Sequence, residues 1–103
     1  MVDLKNQIAI ITGAGRGIGF ATARILGLYG ATPVICDVLS ESELTQAIEH
    51  LQADGIGAFS YRVDVTNKEQ IDKMVLDVLE RWGQVDILVN NAGLTRDAAL
   101  LRM

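Results

Sequence analysis

The chain has 103 residues, half of them hydrophobic, which suits one domain burying roughly 60–70% of its unfolded surface and leaves no room for two. Nine Lys and Arg stand against thirteen Asp and Glu, a net charge of −4 with no basic run, so a nucleic-acid backbone has no electrostatic footprint to meet. The N-terminal Met1-Val2-Asp3-Leu4-Lys5-Asn6 lacks the profile of a signal peptide and the apolar runs are too short to span a bilayer, so a cytoplasmic protein without a membrane partner is expected.

The first predicted element is an apolar strand, Ile8-Ala9-Ile10-Ile11, that runs into Thr12-Gly13-Ala14-Gly15-Arg16-Gly17-Ile18-Gly19. This reads as a strand, a glycine turn and a helix start, where free N–H groups and the helix dipole favour a phosphate. The spacing is T-G-x-x-x-G-x-G. It departs from G-x-G-x-x-G, because Ile18 stands three after Gly15, and no Gly-Lys-Ser/Thr closes it as a P-loop. Pyrophosphate is the expected ligand, and a tight turn without a ligand is the alternative. The helix is expected from Gly17 to Tyr29, with Ile18, Ala21, Thr22, Ile25 and Leu28 as its apolar stripe and Gly19 on the face that approaches the sheet.

Thr32 to Asp37 reads as a second strand, with Pro33 tolerated near its start, and Cys36 in it as a buried small hydrophobe. Ser40 and Glu43 form a capping box for a helix carrying Leu44, Ala47, Ile48 and Leu51, on which His50 is a solvated residue with no metal partner. Ala58 to Val63 is a third strand, closed by Asp64 and Val65. A second capping box, Thr66 with Glu69, is expected to open a helix with Ile71, Met74, Val75, Val78, Leu79 and Trp82 on one face, Trp82 as a core anchor, ending at Gly83. Asp86 to Asn90 is a fourth strand, apolar enough to be covered on both faces, and Thr95-Arg96-Asp97 is expected to start a further helix. The order β-α-β-α-β-α-β implies a parallel α/β sheet.

Asp37 ends the second strand roughly 20 residues past the glycine turn, where a carboxylate reaches the hydroxyls of an adenine ribose. Arg16 points the other way, since a guanidinium pairs with a 2′-phosphate, so NAD is the expected cofactor and NADP the alternative. A solvated turn residue is the plain reading of Asp37. Asp64 suits either an adenine amino group or an Asx turn, and the local chemistry leaves both open. Asn90-Asn91-Ala92-Gly93 offers two amides and two small residues to a flat ligand in the crevice at the strand ends, with a polar strand exit as the alternative.

Taken in order, Thr12-Gly13-x-x-x-Gly17-Ile18-Gly19, Asp37, Asp64-Val65 and Asn90-Asn91-Ala92-Gly93 resemble the short-chain dehydrogenases/reductases over the whole chain. The segment Gly93-Leu94-Thr95-Arg96-Asp97 through Leu100-Leu101-Arg102-Met103 is similar to the branch of 3-oxoacyl-acyl-carrier-protein reductases. The resemblance implies that Gly13, Gly17 and Gly19 line the pyrophosphate, Asp37 holds the adenosine ribose, and Asp64 and Val65 border the adenine. It implies further that Asn90, Ala92 and Gly93 flank the cofactor. The fold expected is a truncated Rossmann-type sheet of order 3-2-1-4, in which the first two helices cross one face, the third helix crosses the other, and strand four is an edge.

The family's chemistry uses a Ser and a Y-x-x-x-K pair further along a longer chain. Here Tyr29 is followed four residues later by Pro33, and Tyr61 by Val65, so no residue of the 103 is expected to be catalytic. The leading expectation is a binding module for the adenosine diphosphate part of a dinucleotide. The alternatives are an NAD(P)-dependent oxidoreductase of which this is a fragment or complemented part, and an assembly protein that has lost the ligand. An unblunted strand four and apolar area left beside the third helix point to a homodimer through strand four and the C-terminal segment.

Overall fold

Every residue of the first strand, β1 (Ile8–Thr12), is buried, and its alternation divides the core in two. Ala9 and Ile11 face one layer with Ala23, Ile35, Leu44, Leu51 and Val89. Ile8 and Ile10 face the other with Val34, Cys36, Met74 and Val78. The computed structural model describes residues 3–91 and the backbone of 99–102. Its further elements are α1 (Gly17–Leu28), β2 (Thr32–Asp37), α2 (Glu41–Ala53), β3 (Phe59–Arg62), α3 (Lys68–Trp82), β4 (Ile87–Asn90) and β5 (Ala99–Arg102). The sheet order is β3-β2-β1-β4-β5. The first four strands are parallel, as expected, with α1 and α2 on one face and α3 on the other. Cys36 is fully buried, and burial, with the neighbouring Asp37 charge, pushes its thiol up to about 12, so it is an inert core residue.

Strand four is not an edge. β5 runs antiparallel to it, with Leu101 opposite Leu88 and Leu100 opposite Val89. Thr95, Arg96 and Asp97 lie outside the described residues, and the segment after them is a strand where a helix was expected. Pairing of strand four with its own copy is therefore blocked by the chain itself.

α1 also departs from expectation. Its expected stripe faces outward, with Ile18 78%, Ile25 53% and Leu28 52% exposed, while Gly19 and Ala23 are buried and Phe20 and Leu26 pack partly against the core. The cause is closeness. A Cβ at position 19 would lie 2.2 Å from the Gly13 carbonyl oxygen, and one at Gly27 would lie 2.5 Å from Ile56 Cγ2. The face that touches the sheet must therefore be made of small residues, and the bulky ones are turned away.

Ser40 caps α2 as expected, accepting from the Glu43 N–H while the Glu43 carboxylate accepts from the Ser40 N–H. The box expected at Thr66 and Glu69 does not form. Both donors of Thr66 go to Asp64 Oδ1, so the helix starts one residue later than expected and takes Asn67 as its cap, whose side chain accepts from the Gln70 N–H. Trp82 is half-buried, packed against the second core layer as expected and edge-on to Phe59 at 4.9 Å between ring centroids.

Gly19→Ala should lower stability by about 1–3 kcal/mol, because the clash is with backbone that cannot rotate away. Urea unfolding measures this directly, and an unchanged midpoint with an unchanged slope would mean that the turn yields at no cost.

Candidate functional site

The first four strands are parallel, so their carboxyl ends share one crest, where the described residues among those singled out in the sequence lie. Gly13 and Gly17 have φ of 62° and 64°, a conformation that a Cβ strains, and they bend the chain from β1 into α1. Arg16 is the N-cap residue of α1, with extended backbone and no side-chain capping bond, and no acid lies in the first turn. A Cβ built at Gly17 meets nothing within 4 Å, so the space over the helix start is open. Ile18 is exposed beside it. Free helix N–H groups, a positive dipole end and clearance for a bulky group are what a pyrophosphate requires, and these residues fit one.

Thr12 has a second part to play, tying β1 to β4. Its Oγ1 accepts from the Asn91 N–H at 2.8 Å, and its one proton has Asn90 Oδ1 at 3.2 Å and Val89 O at 3.4 Å as acceptors. Asn91 Nδ2 donates to Gly13 O at 3.5 Å, so the strand-four exit braces the glycine turn. Thr12, Val65 and Asn90 line the mouth of a cavity of about 490 Å³ that continues between Ile10, Met74 and Leu88. Ala92 and Gly93 lie outside the described residues.

Asp37 is wired to the turn. Its Oδ2 accepts from the Gly15 N–H at 2.9 Å and its Oδ1 from the Val38 N–H at 2.7 Å. A carboxylate with two oxygens offers more acceptor sites than two donors fill, so it can still take hydroxyl groups. Leu39 backs the same turn, where a Cβ on Gly15 would lie 2.3 Å from its Cδ1. Arg16 borders a separate groove of about 380 Å³ with Phe20, Leu39, Glu43 and His50, in which His50 meets Phe20 edge-on.

Asp64 makes an Asx turn. Thr66 gives Asp64 Oδ1 its hydroxyl at 2.7 Å and its N–H at 2.9 Å, and these two bonds, the hydroxyl foremost, hold the carboxyl below its ordinary range. The Asp64 N–H donates to Gln70 Oε1 at 2.8 Å. A crevice of about 290 Å³ lies here, lined by Val38, Arg62, Val63, Asp64 and Gln70, with Val38 left 56% exposed at its rim. Sequence reasoning passed over Gln70 and Val38. The signal for Gln70 was its place three residues after Asn67, legible only once the true cap is known.

A doubly wound sheet with an uncapped, glycine-led first helix defines a Rossmann-type α/β domain. The family model for short chain dehydrogenases matches residues 7–103, and the chain belongs to that family. A 3-oxoacyl-[acyl-carrier-protein] reductase of Synechocystis sp. is 38% identical over all 103 residues, which is 42% of that protein. A 2-dehydro-3-deoxy-D-gluconate 5-dehydrogenase of Formosa agariphila is 36% identical over 103 residues and 39% of its own length. Among solved structures, a metagenomic short-chain oxidoreductase in complex with NADP superposes with a TM-score of 0.82 at 38% identity, over 87% of this chain and 40% of that one. The chain spans about two fifths of the length of the relatives it matches.

Thr66→Val removes the hydroxyl but keeps the N–H, so the Asp64 titration midpoint should move up toward the ordinary carboxylate range. A carbon-detected NMR titration of the side-chain carboxyl reads this, and an unmoved midpoint would show that the hydroxyl does not hold the charge.

Proposed function

We propose that the chain is the adenosine-binding part of an NAD(P)-dependent short-chain dehydrogenase/reductase. The observation that carries this reading is the pairing of an open, uncapped α1 start with an Asp37 carboxylate anchored beside it by the Gly15 N–H. In this reading Gly13, Gly17 and Gly19 shape the pyrophosphate seat, with Gly19 letting α1 come close enough to aim its N–H groups. Asp37 holds the ribose, Asp64 and Val65 border the adenine, and Asn90, Ala92 and Gly93 flank the remainder of the cofactor. NAD is favoured, because a carboxylate at Asp37 repels a 2′-phosphate at the position where it would accept ribose hydroxyls. Arg16, exposed and without a capping bond, is the feature that supports NADP instead.

A bound nicotinamide supplies or accepts a hydride. These residues would hold the other end of the cofactor and fix its approach. No Y-x-x-x-K occurs among the 103 residues, so the acid that completes carbonyl reduction has no candidate within them. Reduction of a 3-oxoacyl thioester is the second reading, for a longer or complemented protein, and it is supported by the match of all 103 residues to 42% of the Synechocystis reductase. The reading of the site is independent of which carbonyl compound is reduced.

Self-association belongs to the same proposal. The free edge of strand four is taken by β5, which leaves the exposed apolar residues of α3, Leu76 at 62% and Leu79, at the border of the cavity beside Leu88, at 42%, as the surface for a homodimer. Sedimentation equilibrium should show a dimer that Leu79→Lys weakens at least tenfold, and a monomeric wild type at micromolar concentration would overturn this.

Calorimetric titration tests the cofactor reading. Adenosine diphosphate should bind nearly as tightly as NADH, and Asp37→Ala should weaken NAD about tenfold or more while weakening NADP less. No binding of either nucleotide, or an Asp37→Ala variant that binds both unchanged, would overturn it.

A further inference from the structure

Asp54-Gly55 is the one Asp-Gly step among the 103 residues, and the fold puts it, exposed, at the C-terminal end of α2, on the side of the sheet opposite the crest. The amide nitrogen that follows an aspartate can attack the side-chain carbon most readily when its own residue has no Cβ to crowd the approach. Gly55 has φ of 79°, and a Cβ built on it would meet nothing within 4 Å, so only the turn itself screens its nitrogen. That turn is held closed. The Asp54 N–H donates to Leu51 O at 3.0 Å and the Gly55 N–H to Gln52 O at 2.9 Å, while Arg24 Nε, on α1, donates to Asp54 Oδ2 at 2.7 Å. With ψ of Asp54 at 10° its Cα–Cβ bond points away from the Gly55 nitrogen, so attack requires the helix end to open and the carboxyl to leave Arg24.

We propose that Asp54-Gly55 is a site of spontaneous backbone modification to isoaspartate, and that the ion pair with Arg24 guards it. In the first step the Gly55 nitrogen bonds to Asp54 Cγ and loses its proton, and one carboxyl oxygen leaves as water, closing a five-membered succinimide. Water then adds back. Attack at Cγ restores aspartate, whereas attack at the main-chain carbonyl carbon leaves Gly55 joined through Cγ, an isoaspartate with one more carbon in the backbone and an unchanged mass. The only co-reactant is water, and no part of the cofactor reading enters. The added carbon displaces the turn in which the Ile56 N–H reaches Leu51 O at 3.1 Å. Ile56 is buried and lies against Gly27, so the change is passed to the contact between the end of α2 and α1. Because the Arg24 and Asp54 side chains are 47% and 38% exposed, the guard slows the reaction and does not block it.

The full chain is kept at physiological temperature and neutral pH for weeks, and isoaspartate is read by peptide mapping with electron-transfer fragmentation and by methyl transfer from an isoaspartyl methyltransferase. Isoaspartate should accumulate at position 54 ahead of every other aspartate, and Asp54→Glu, which would need a larger ring, should abolish it there. Arg24→Gln should speed it about two- to fivefold, the range that an exposed ion pair can supply. Added salt, which screens the pair, should speed the wild type toward the Arg24→Gln rate and leave that variant nearly unchanged. No isoaspartate at position 54 in the wild type would overturn the site. An Arg24→Gln rate equal to the wild type, or an acceleration in that variant that salt does not reproduce in the wild type, would overturn the guard, the second because it would come from lost packing.

Discussion

The contact on which the molecule depends is the approach of α1 to the turn that launches it, where Gly19 lies so near the Gly13 carbonyl that no Cβ fits between them. The approach sets the helix axis, and the axis decides which residues meet the sheet. Gly19 and Ala23 fill the close side, Leu26 and Phe20 follow where the helix diverges, and Gly27 admits Ile56 from the α2 side. Helix packing and the shape of the glycine turn are thus set by one steric condition, and a larger residue at position 19 disturbs both.

Around that contact the polar groups of the crest are held by backbone. Asp37 takes N–H groups from Gly15 and Val38, Asp64 takes one from Thr66 and gives its own to Gln70, and Thr12 receives one from Asn91. Backbone donors are fixed by the strands and helices they leave, so each carboxylate is held in place by the fold itself. A site assembled in this way gains directionality from the sheet itself.

Much of this was legible in the sequence because it is local. Ser40 and Glu43 are three residues apart, and the box they form needs no distant partner. The apolar run Ile8 to Ile11 with the glycine turn after it marked the strand and the turn. What was not legible depends on competition or on distance. Thr66 resembled a cap, but Asp64, two residues before it, claimed its hydroxyl, and Asn67 was left to do the capping. The stripe Ile18, Thr22, Ile25 and Leu28 has helical spacing, as has Gly19, Ala23 and Gly27, and hydrophobicity favours the first set. Only the distance between helix and sheet chooses the second. Ala99 to Arg102 carries too few residues to distinguish a strand from a helix, and its partner β4 decides.

The two ends of the sheet differ in how their edges are managed. At the β3 end, Arg81 places its guanidinium 5.3 Å from the ring centroids of both Phe59 and Trp82, and also reaches Tyr61 Oη, which donates to Asp77. A cation over the edge aromatics, with Arg62 on the strand itself, disfavours another strand from pairing there. At the other end β5 covers β4 but reverses direction, so the parallel series stops at a strand that no helix crossover has to reach. Ile87 and Val89 are buried on the α1 side, whereas Leu88, on the α3 side, is only half-buried and opens onto the cavity lined by Val75 and Leu79. The least finished apolar surface therefore lies against α3 and not along the hydrogen-bonding edge, because the backbone groups of β4 are already paired on both sides.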